Sequence, residues 1–463
     1  MSAVKAERYA AYKDSGVEWL REVPGNWRTL RLKDVIEKLE SGVSVNASDE
    51  PATGNNIGVL KTSCVGKDSF IPDENKSVWP TELNRVSTPV RAGRIIVSRM
   101  NTPQLVGASA YVPKNYPNIF LPDRLWQTVF FSSVRLDSKW LSLLIGCKDF
   151  RYLLSTVATG TSPSMKNLGQ DKFLSISIPF PSHAEQTAIA TYLDTKTAQI
   201  DRQIDLLSQK ATQYGKLKRS LINETVTRGL DKSVPMKDSD VVWIGEVPEH
   251  WGLKRLKELG DLYSGLTGKS GDDFSQENEH GEPFVPFTNI ANNFYLSTSN
   301  LKLVVIHPSE KQNYVKINDL FFLMSSEDYA DLGKCSLLTE EMKKKTYLNS
   351  FCKGFRFTKR TVNPKYINYL LHSTQYRLSL SNEGKGFTRI NLRMDKINDM
   401  RLLIPSMSEQ QAIAAYLDTK TTQIDRIVTA INTQINKLKD LRKALINDVV
   451  TGKIKVGSEG QTI

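Results

Sequence analysis

Two long stretches of this chain are written in nearly the same words, and they constrain its fold more than any other feature. SHAEQTAIATYLDTKTAQIDRQIDLL begins at Ser182, and SMSEQQAIAAYLDTKTTQIDRIVTAI begins at Ser406. Each opens with Ser-x-x-Glu (Ser182/Glu185 and Ser406/Glu409), the capping-box pattern in which each side chain satisfies the other residue's free backbone N–H. Pro181 and Pro405 stand just upstream and mark the boundary. Apolar residues then follow steps of four and three: Ile200, Ile204, Leu207, Ala211, Tyr214 in one copy, Ile424, Val428, Ile431, Ile435, Leu438 in the other. Such steps hold one stripe on a helix, as a coiled-coil partner requires. A helix from Ser182 to Arg228 would be roughly 70 Å long at 1.5 Å per residue. That outreaches a small globular core, and the partner expected for it is its own repeat.

The duplication extends beyond the helices. Lys13-Asp-Ser-Gly-Val-Glu-Trp19, Glu22-Val-Pro24, Trp27 and Arg31-Leu-Lys33 return as Lys237-Asp-Ser-Asp-Val-Val-Trp243, Glu246-Val-Pro248, Trp251 and Arg255-Leu-Lys257. The offset is 224 residues, the difference between Lys13 and Lys237, and it also separates Glu185 from Glu409. Asn167-Leu168 with Asp171-Lys172 matches Asn391-Leu392 with Asp395-Lys396 in the same register. The blocks between these words barely resemble each other. The period is far longer than a solenoid repeat, so the unit duplicated is a domain plus a helix. Short β-branched and aromatic runs (Arg94-Ile-Ile-Val-Ser, Thr128-Val-Phe-Phe-Ser, Leu301-Lys-Leu-Val-Val-Ile) give each block a β-rich character. A helical stretch closes each, over Lys139–Leu154 and Lys365–Leu380. The expected class is α+β, with a lead-in over 1–24, blocks over 25–181 and 249–405, and long helices over 182–230 and 406–456. A linker with the repeated lead-in fills 231–248, and 457–463 form a polar tail. The two helices are expected to run antiparallel with approximate two-fold symmetry.

With 463 residues the chain exceeds one compact core, and its net charge of +12 suggests a polyanionic partner. The excess is localised. Residues 25–180 carry 19 Lys and Arg against 13 Asp and Glu, and 249–404 carry 22 against 18, whereas 182–248 balance at 9 against 9. Basic blocks and neutral helices fit blocks that touch phosphates and helices that touch protein. No apolar run approaches the ~18 residues that span a bilayer, and MSAVKAERYAAYKD lacks a signal-peptide core, so no membrane contact and a cytoplasmic location are expected. Cys64, Cys147, Cys335 and Cys352 are scattered and read as reduced thiols.

Fragments that resemble catalytic motifs fail on their missing parts. Gly268-Lys269-Ser270 lacks the glycine of a P-loop, since Tyr263 stands where it should be. Asn363-Pro364-Lys365-Tyr366 approaches a methyltransferase motif but carries Lys365 for a proline, without a glycine-rich nucleotide turn before it. Pro72-Asp73-Glu74-Asn75-Lys76 has acids and a lysine but no separate strands to hold Mg²⁺. His183, His250, His280, His307 and His372 show no metal-ligand spacing. The positive signal is binding. Arg and Lys can take guanine bidentately, and Asn and Gln can take adenine. The first block offers Arg91, Arg94, Arg99, Asn101, Gln104, Arg124 and Gln127. The second offers Lys311, Gln312, Lys334, Lys343, Lys344, Lys345 and Arg389.

The repeated words, Lys-Asp-Ser-x-Val-x-Trp with Glu-Val-Pro-x-x-Trp and then Pro-Ser-x-x-Glu-Gln-x-Ala-Ile-Ala-x-Tyr-Leu-Asp-x-Lys-Thr-x-Gln-Ile-Asp, resemble the specificity subunit of type I restriction–modification enzymes. The resemblance covers nearly the whole chain in two copies. It implies two target-recognition domains, each reading half of an interrupted asymmetric site in double-stranded DNA, joined by coiled-coil helices that dock two modification (methyltransferase) subunits. It further implies restriction/translocase subunits, with S-adenosylmethionine, ATP and Mg²⁺ used by those partners and no cofactor in this chain. Carried onto these residues, Ile200, Ile204, Leu207, Tyr214 and Leu217 would face Ile424, Val428, Ile431, Leu438 and Leu441. Gln186, Arg202, Gln410 and Arg426 would be exposed for the methyltransferase. No base-contact motif is family-wide, so the contact candidates rest on side-chain chemistry. The competing readings are a coiled-coil adaptor without sequence-specific DNA binding and a self-sufficient nuclease or methyltransferase.

Overall fold

A computed structural model of the chain describes residues 7–457 apart from 18, 67–68, 163, 275–280 and 387–388. His280 and all but the first residue of the polar tail therefore lie outside the described residues. The chain divides into two units, Met1–Leu207 with Thr433–Ile463, and Ser208–Asn432.

In the first unit, the lead-in hairpin pairs Tyr12–Asp14 with Glu22–Pro24, and Arg28–Arg31 pairs with Ser177–Phe180. A four-stranded antiparallel sheet has the order Ser109–Tyr111, Ile95–Ser98, Leu125–Phe130, Ile36–Ser41. All four residues of Ile95–Ser98 are buried, which is why Ile95-Ile96-Val97 is continuously apolar rather than alternating. A second sheet contains the parallel pair Gly58–Leu60 and Tyr116–Phe120. A small third sheet joins Met100–Asn101 to Met165–Asn167.

The second unit repeats these pairings with other residues. Its hairpin is Met236–Asp238 with Glu246–Pro248, and its four-stranded sheet runs Gly260–Ser264, Cys352–Phe357, Leu320–Leu323, Cys335–Leu337. Glu282–Val285 and Tyr347–Leu348 form the parallel pair, and Ser325–Ser326 joins Ile390–Asn391. The blocks thus share a topology that their sequences do not show.

Each closing helical stretch is two helices. Ser138–Gly146 and Lys148–Val157 are separated by Cys147 at ψ 158°, and Pro364–His372 and Thr374–Asn382 by Ser373 at ψ 153°. Asp137 and Asn363 N-cap the first of each pair, accepting from Lys139 N and Trp140 N, and from Lys365 N and Tyr366 N. Asn363-Pro364-Lys365-Tyr366 is thus a helix start.

The long helices span His183–Arg228 and Met407–Val450. In the first unit Ile189, Ala190 and Leu193 share a core with Val449 and Val450, Trp27, Trp140 and Phe150. Asp201 pairs with Arg442 there, so the two helix segments run antiparallel. In the second unit Ile222 and Val226 share a core with Ile413, Leu417, Trp251 and Tyr376, and Lys218 pairs with Asp425, again antiparallel. Gly229 and Gly452 end the helices at φ +77° and +79°. A Cβ on Gly452 would fall 2.5 Å from Pro24 Cδ, and one on Gly229 3.3 Å from Trp251 Cζ2, so the end of the first lead-in packs on one helix end and the start of the second block on the other.

The helix seam differs from expectation at two positions. Ile200, Ile424 and Ile431 are buried, and Ile204, Leu207, Tyr214, Val428 and Leu438 are half-buried. Leu217 and Leu441, however, are 53% and 54% exposed. Taking a second step of three after Tyr214 or Leu438 rotates the position about 60° further off the stripe, since each residue turns about 100°. The step of four reaches Lys218 and Arg442, which occupy the seam. The capping boxes also form only by half. Ser182 Oγ and Ser406 Oγ accept from Glu185 N and Glu409 N at 3.4 and 3.3 Å. The carboxylates are drawn to other segments: Glu185 accepts from Tyr9 Oη of the lead-in at 2.6 Å, and Glu409 from Trp251 Nε1, just past the repeated lead-in, at 3.1 Å.

Candidate nucleic-acid interface

In the first unit the buried strand Ile95–Ser98 ends at Arg99, and the repeated Asn167-Leu168 anchors that end, with Leu168 N donating to Arg99 O at 2.7 Å. In the second, Leu392 N donates to Met324 O at 2.8 Å in the same way. These joints place Arg99, Asn101, Gln104 and Arg124 together, since Arg99 N also donates to Arg124 O at 3.0 Å. The Arg99 guanidinium lies 5.5 Å from the Trp126 ring, and its Nε is buried without a hydrogen-bond partner among the described residues. Arg124 and Gln104 are exposed. Asn101 closes a turn, accepting from Thr102 N at 2.9 Å and donating to Ser98 Oγ at 3.2 Å.

Arg94 sits at the opposite end of that strand, half-buried, and the exposed Arg91 approaches Glu40 at 3.9 Å. Burial raises the Glu40 pKa, but hydrogen bonds from Lys38 and Gln127 with the Lys38 and Arg91 charges outweigh it and bring it below the usual range. Gln127 is not a surface reader. It is fully buried, accepting from Arg91 N at 2.9 Å and donating to Pro89 O at 3.3 Å, because a strand pairing on both edges leaves its inward amide to serve the neighbouring loop.

In the second unit Lys343, Lys344 and Lys345 are exposed. Lys345 Nζ lies 5.3 Å from the Tyr314 ring and 5.5 Å from that of Tyr347, and Lys316 sits 5.3 Å over Tyr314. This lysine-on-tyrosine cluster was not legible from the Lys343–Lys345 run; the alternation Tyr314-x-Lys316 was its only sequence trace. Lys311 is exposed. Gln312 is not a free reader: its Oε1 accepts from Thr267 N at 3.1 Å and its Nε2 donates to Thr267 O at 2.8 Å, clasping two loops. Lys334 is half-buried and paired with Asp331 at 2.5 Å, so its charge is met within the protein. Arg389 stacks over the exposed Phe351 ring at 4.5 Å.

Of the docking candidates, Arg202 and Arg426 are exposed, but Gln186 and Gln410 are fully buried. Gln186 accepts from Asp137 N at 2.9 Å and donates to Pro181 O at 3.0 Å. Gln410 accepts from Asn363 N at 2.8 Å and donates to Pro405 O at 2.9 Å. Each glutamine stitches a long-helix start to the start of a closing helix, where backbone groups would otherwise be unpaired. It must therefore face inward.

Burial pushes every cysteine thiol upward, Cys147 and Cys335 to about 12. Lys269, in the P-loop-like fragment, is held by Glu310 at 2.5 Å. Among the described residues no group of three or more His, Cys, Asp or Glu side chains gathers as a metal site would, and no helix is long and apolar enough to cross a membrane.

Comparison with known proteins places this geometry. Residues 24–212 and 248–437 each match the family described as type I restriction modification DNA specificity domain. The type I restriction enzyme MjaVIII specificity subunit of Methanocaldococcus jannaschii is 23% identical over 445 residues, covering 94% of each chain. The EcoKI specificity subunit of Escherichia coli strain K12 is 23% identical over 210 residues, 45% of this chain and 44% of that one. Among solved structures, a chain from work on complex assembly and conformational transition of the type I R-M system superposes with TM-score 0.67 at 16% identity, covering 92% of this chain and 98% of that one. The HsdS subunit from Thermoanaerobacter tengcongensis gives 0.52 at 16% identity, covering 93% and 98%.

Proposed function

This chain belongs to the type I restriction–modification DNA specificity family, and from that premise we propose that each of its two units reads one half of a bipartite, asymmetric DNA site. The chain is the DNA-recognising specificity subunit of such a system, with DNA and the modification and restriction subunits as its partners. The observation that carries the two-reader proposal is the repeated sheet topology beneath unrelated exposed side chains. A repeated frame gives both readers the same approach to a duplex, while the divergent side chains let the two half-sites differ.

The long helices set the spacing between half-sites and dock the partners. Arg202 and Arg426 are exposed at the family repeat's own offset, which suits two copies of one modification subunit. S-adenosylmethionine, ATP and Mg²⁺ serve those partner subunits, and this chain makes or breaks no bond itself.

The test is a block exchange in the assembled complex, followed by genome-wide mapping of methylated adenines. Replacing residues 25–181 with the corresponding block of a relative should change one half of the target and leave the other. A change in both halves, or in neither, refutes two independent readers. Inserting four residues near Ala211 should change the spacer and keep both half-site sequences; an unchanged spacer refutes the helices as a ruler.

A further inference from the structure

One surface loop is built by the same device in both units and finished with different side chains. In the first unit it comes after Met100–Asn101, and in the second after Ser325–Ser326. Thr102 N donates to Asn101 Oδ1 at 2.9 Å to start the first loop, and Asp328 N to Ser326 Oγ at 3.1 Å to start the second. Both loops end on a glycine with positive φ, Gly107 at +72° and Gly333 at +66°. A Cβ would lie 2.6 Å from Leu154 Cδ1 at the first and 3.0 Å from Leu380 Cβ at the second, so the loop exit lies tight on the closing helix.

An arginine on that helix holds each tip. Arg151 donates from Nη1 to Val106 O at 2.7 Å and from Nη2 to Gln104 O at 3.1 Å. Arg377 donates from Nη2 to Leu332 O at 2.7 Å and to Ala330 O at 3.1 Å. Arg377 also keeps a buried Nη1 with no partner among the described residues, and burial depresses its pKa. Sequestering a guanidinium with an unmet N–H costs stability. A loop with nothing to do but meet solvent would not need it; a loop whose tip must keep one geometry would.

The tips then differ. Gln104 is exposed in the first, beside Thr102 and Leu105. Glu327, Asp328 and Tyr329 are exposed in the second. Asp328 is occupied by Ala330 N at 2.8 Å and Asp331 by Lys334, while among the described residues no hydrogen bond or ion pair engages the Gln104 or Glu327 side chain. A carboxylate on a basic DNA-facing block is repelled by phosphates. In the major groove it has favourable partners, of which the cytosine N4 amino group is the characteristic one, as adenine N6/N7 is for a glutamine amide.

Resting on the two-reader function above, we propose that these arginine-pinned tips are the base-reading elements of the two half-sites, with Gln104 taking an adenine and Glu327 a cytosine. The test uses the full complex with its modification subunits on a DNA library randomised over the target, with methylation read by sequencing. Gln104→Ala should relax discrimination at one A·T pair of one half-site by roughly fivefold or more and leave the other half unchanged. Glu327→Gln should do so at one C·G pair of the opposite half. Both side chains are exposed, so thermal unfolding should be unchanged, and that measurement separates misfolding from misreading. Wild-type complex that discriminates while neither variant alters any position, or variants that weaken all sequences equally, overturns this assignment and leaves the two-reader function standing. Wild-type complex that discriminates nowhere overturns that function itself.

Discussion

Lys218 donates to both carboxylate oxygens of Asp425 at 2.7 Å, joining the two long helices across their seam within the second unit. The first unit contains the same pair with the helices exchanged: Asp201 and Arg442, at 3.0 Å, stand at the repeat offset from Asp425 and Lys218. A charge in a coiled-coil seam weakens packing but fixes register, because a slipped pairing would leave it unmatched. Lys218→Asp should therefore lower stability by about 1 kcal/mol, and adding Asp425→Lys should recover most of it. Urea unfolding of the four species of this cycle checks it; strictly additive losses would show that the pair carries no coupling.

The buried glutamines predict a larger effect. Gln186→Ala leaves Asp137 N and Pro181 O without their partner, and Gln410→Ala does the same to Asn363 N and Pro405 O. Each substitution should cost about 2–3 kcal/mol, since one buried and one part-buried backbone group lose their hydrogen bonds. Leu217→Ala, at an exposed position, should cost under about 0.5 kcal/mol, and Ile222→Ala, in the core, about 2–5 kcal/mol. Chemical denaturation of the four variants orders them.

The frame was legible because repetition is a long-range signal. A motif copied at one offset announces a duplicated domain, and steps of three and four announce a helix. What escaped depended on which way one side chain turns. Gln127 and Gln186 have the chemistry of surface readers, yet backbone groups from distant segments claim both amides. Leu217 has the composition of seam and Lys218 that of surface, and a single step of the helix reverses them. The pinned tips were invisible for a related reason. Arg151 and Arg377 stand in divergent blocks, and only the shared placement of two carbonyls before a glycine shows that they do the same work.

His372 gives the second unit a pH dependence of defined sign. Its ring lies against Phe294, with centroids 4.5 Å apart, and Nδ1 is 2.8 Å from Asn368 O. Desolvation lowers its pKa to about 4, helped by the charges of Arg377, Lys334 and Lys218 and opposed by the Asn368 hydrogen bond. In the unfolded chain a histidine titrates near about 6.5. Between those values the unfolded chain binds a proton that the folded unit refuses. Stability is therefore full above the unfolded value and falls as pH drops toward the folded one. From pH 7 to pH 5 this contributes a loss of up to about 2 kcal/mol. In His372→Gln the difference between unfolding free energies at the two pH values should shrink by that amount, and an unchanged difference would place the titration elsewhere.

The lysine–tyrosine cluster predicts a response of another kind from that of the pinned tips. Lys345, Lys316, Lys343 and Lys344 present exposed ammonium groups that act as compact point charges, and Tyr314, 40% exposed, orients two of them by its ring face. Such groups neutralise phosphates and release counterions whatever the sequence. Lys345→Gln should weaken duplex binding to about the same degree on target and non-target DNA. It should also reduce the slope of log affinity against log salt by about 1. Tyr314→Leu should weaken binding less, because the lysines keep their charge and lose only their orientation. Titrations of both DNAs at several salt concentrations separate the roles: a variant that shifts target and non-target binding in parallel touches phosphate, and one that shifts their ratio reads bases. A change in ratio for Lys345→Gln would move this cluster from the first role to the second.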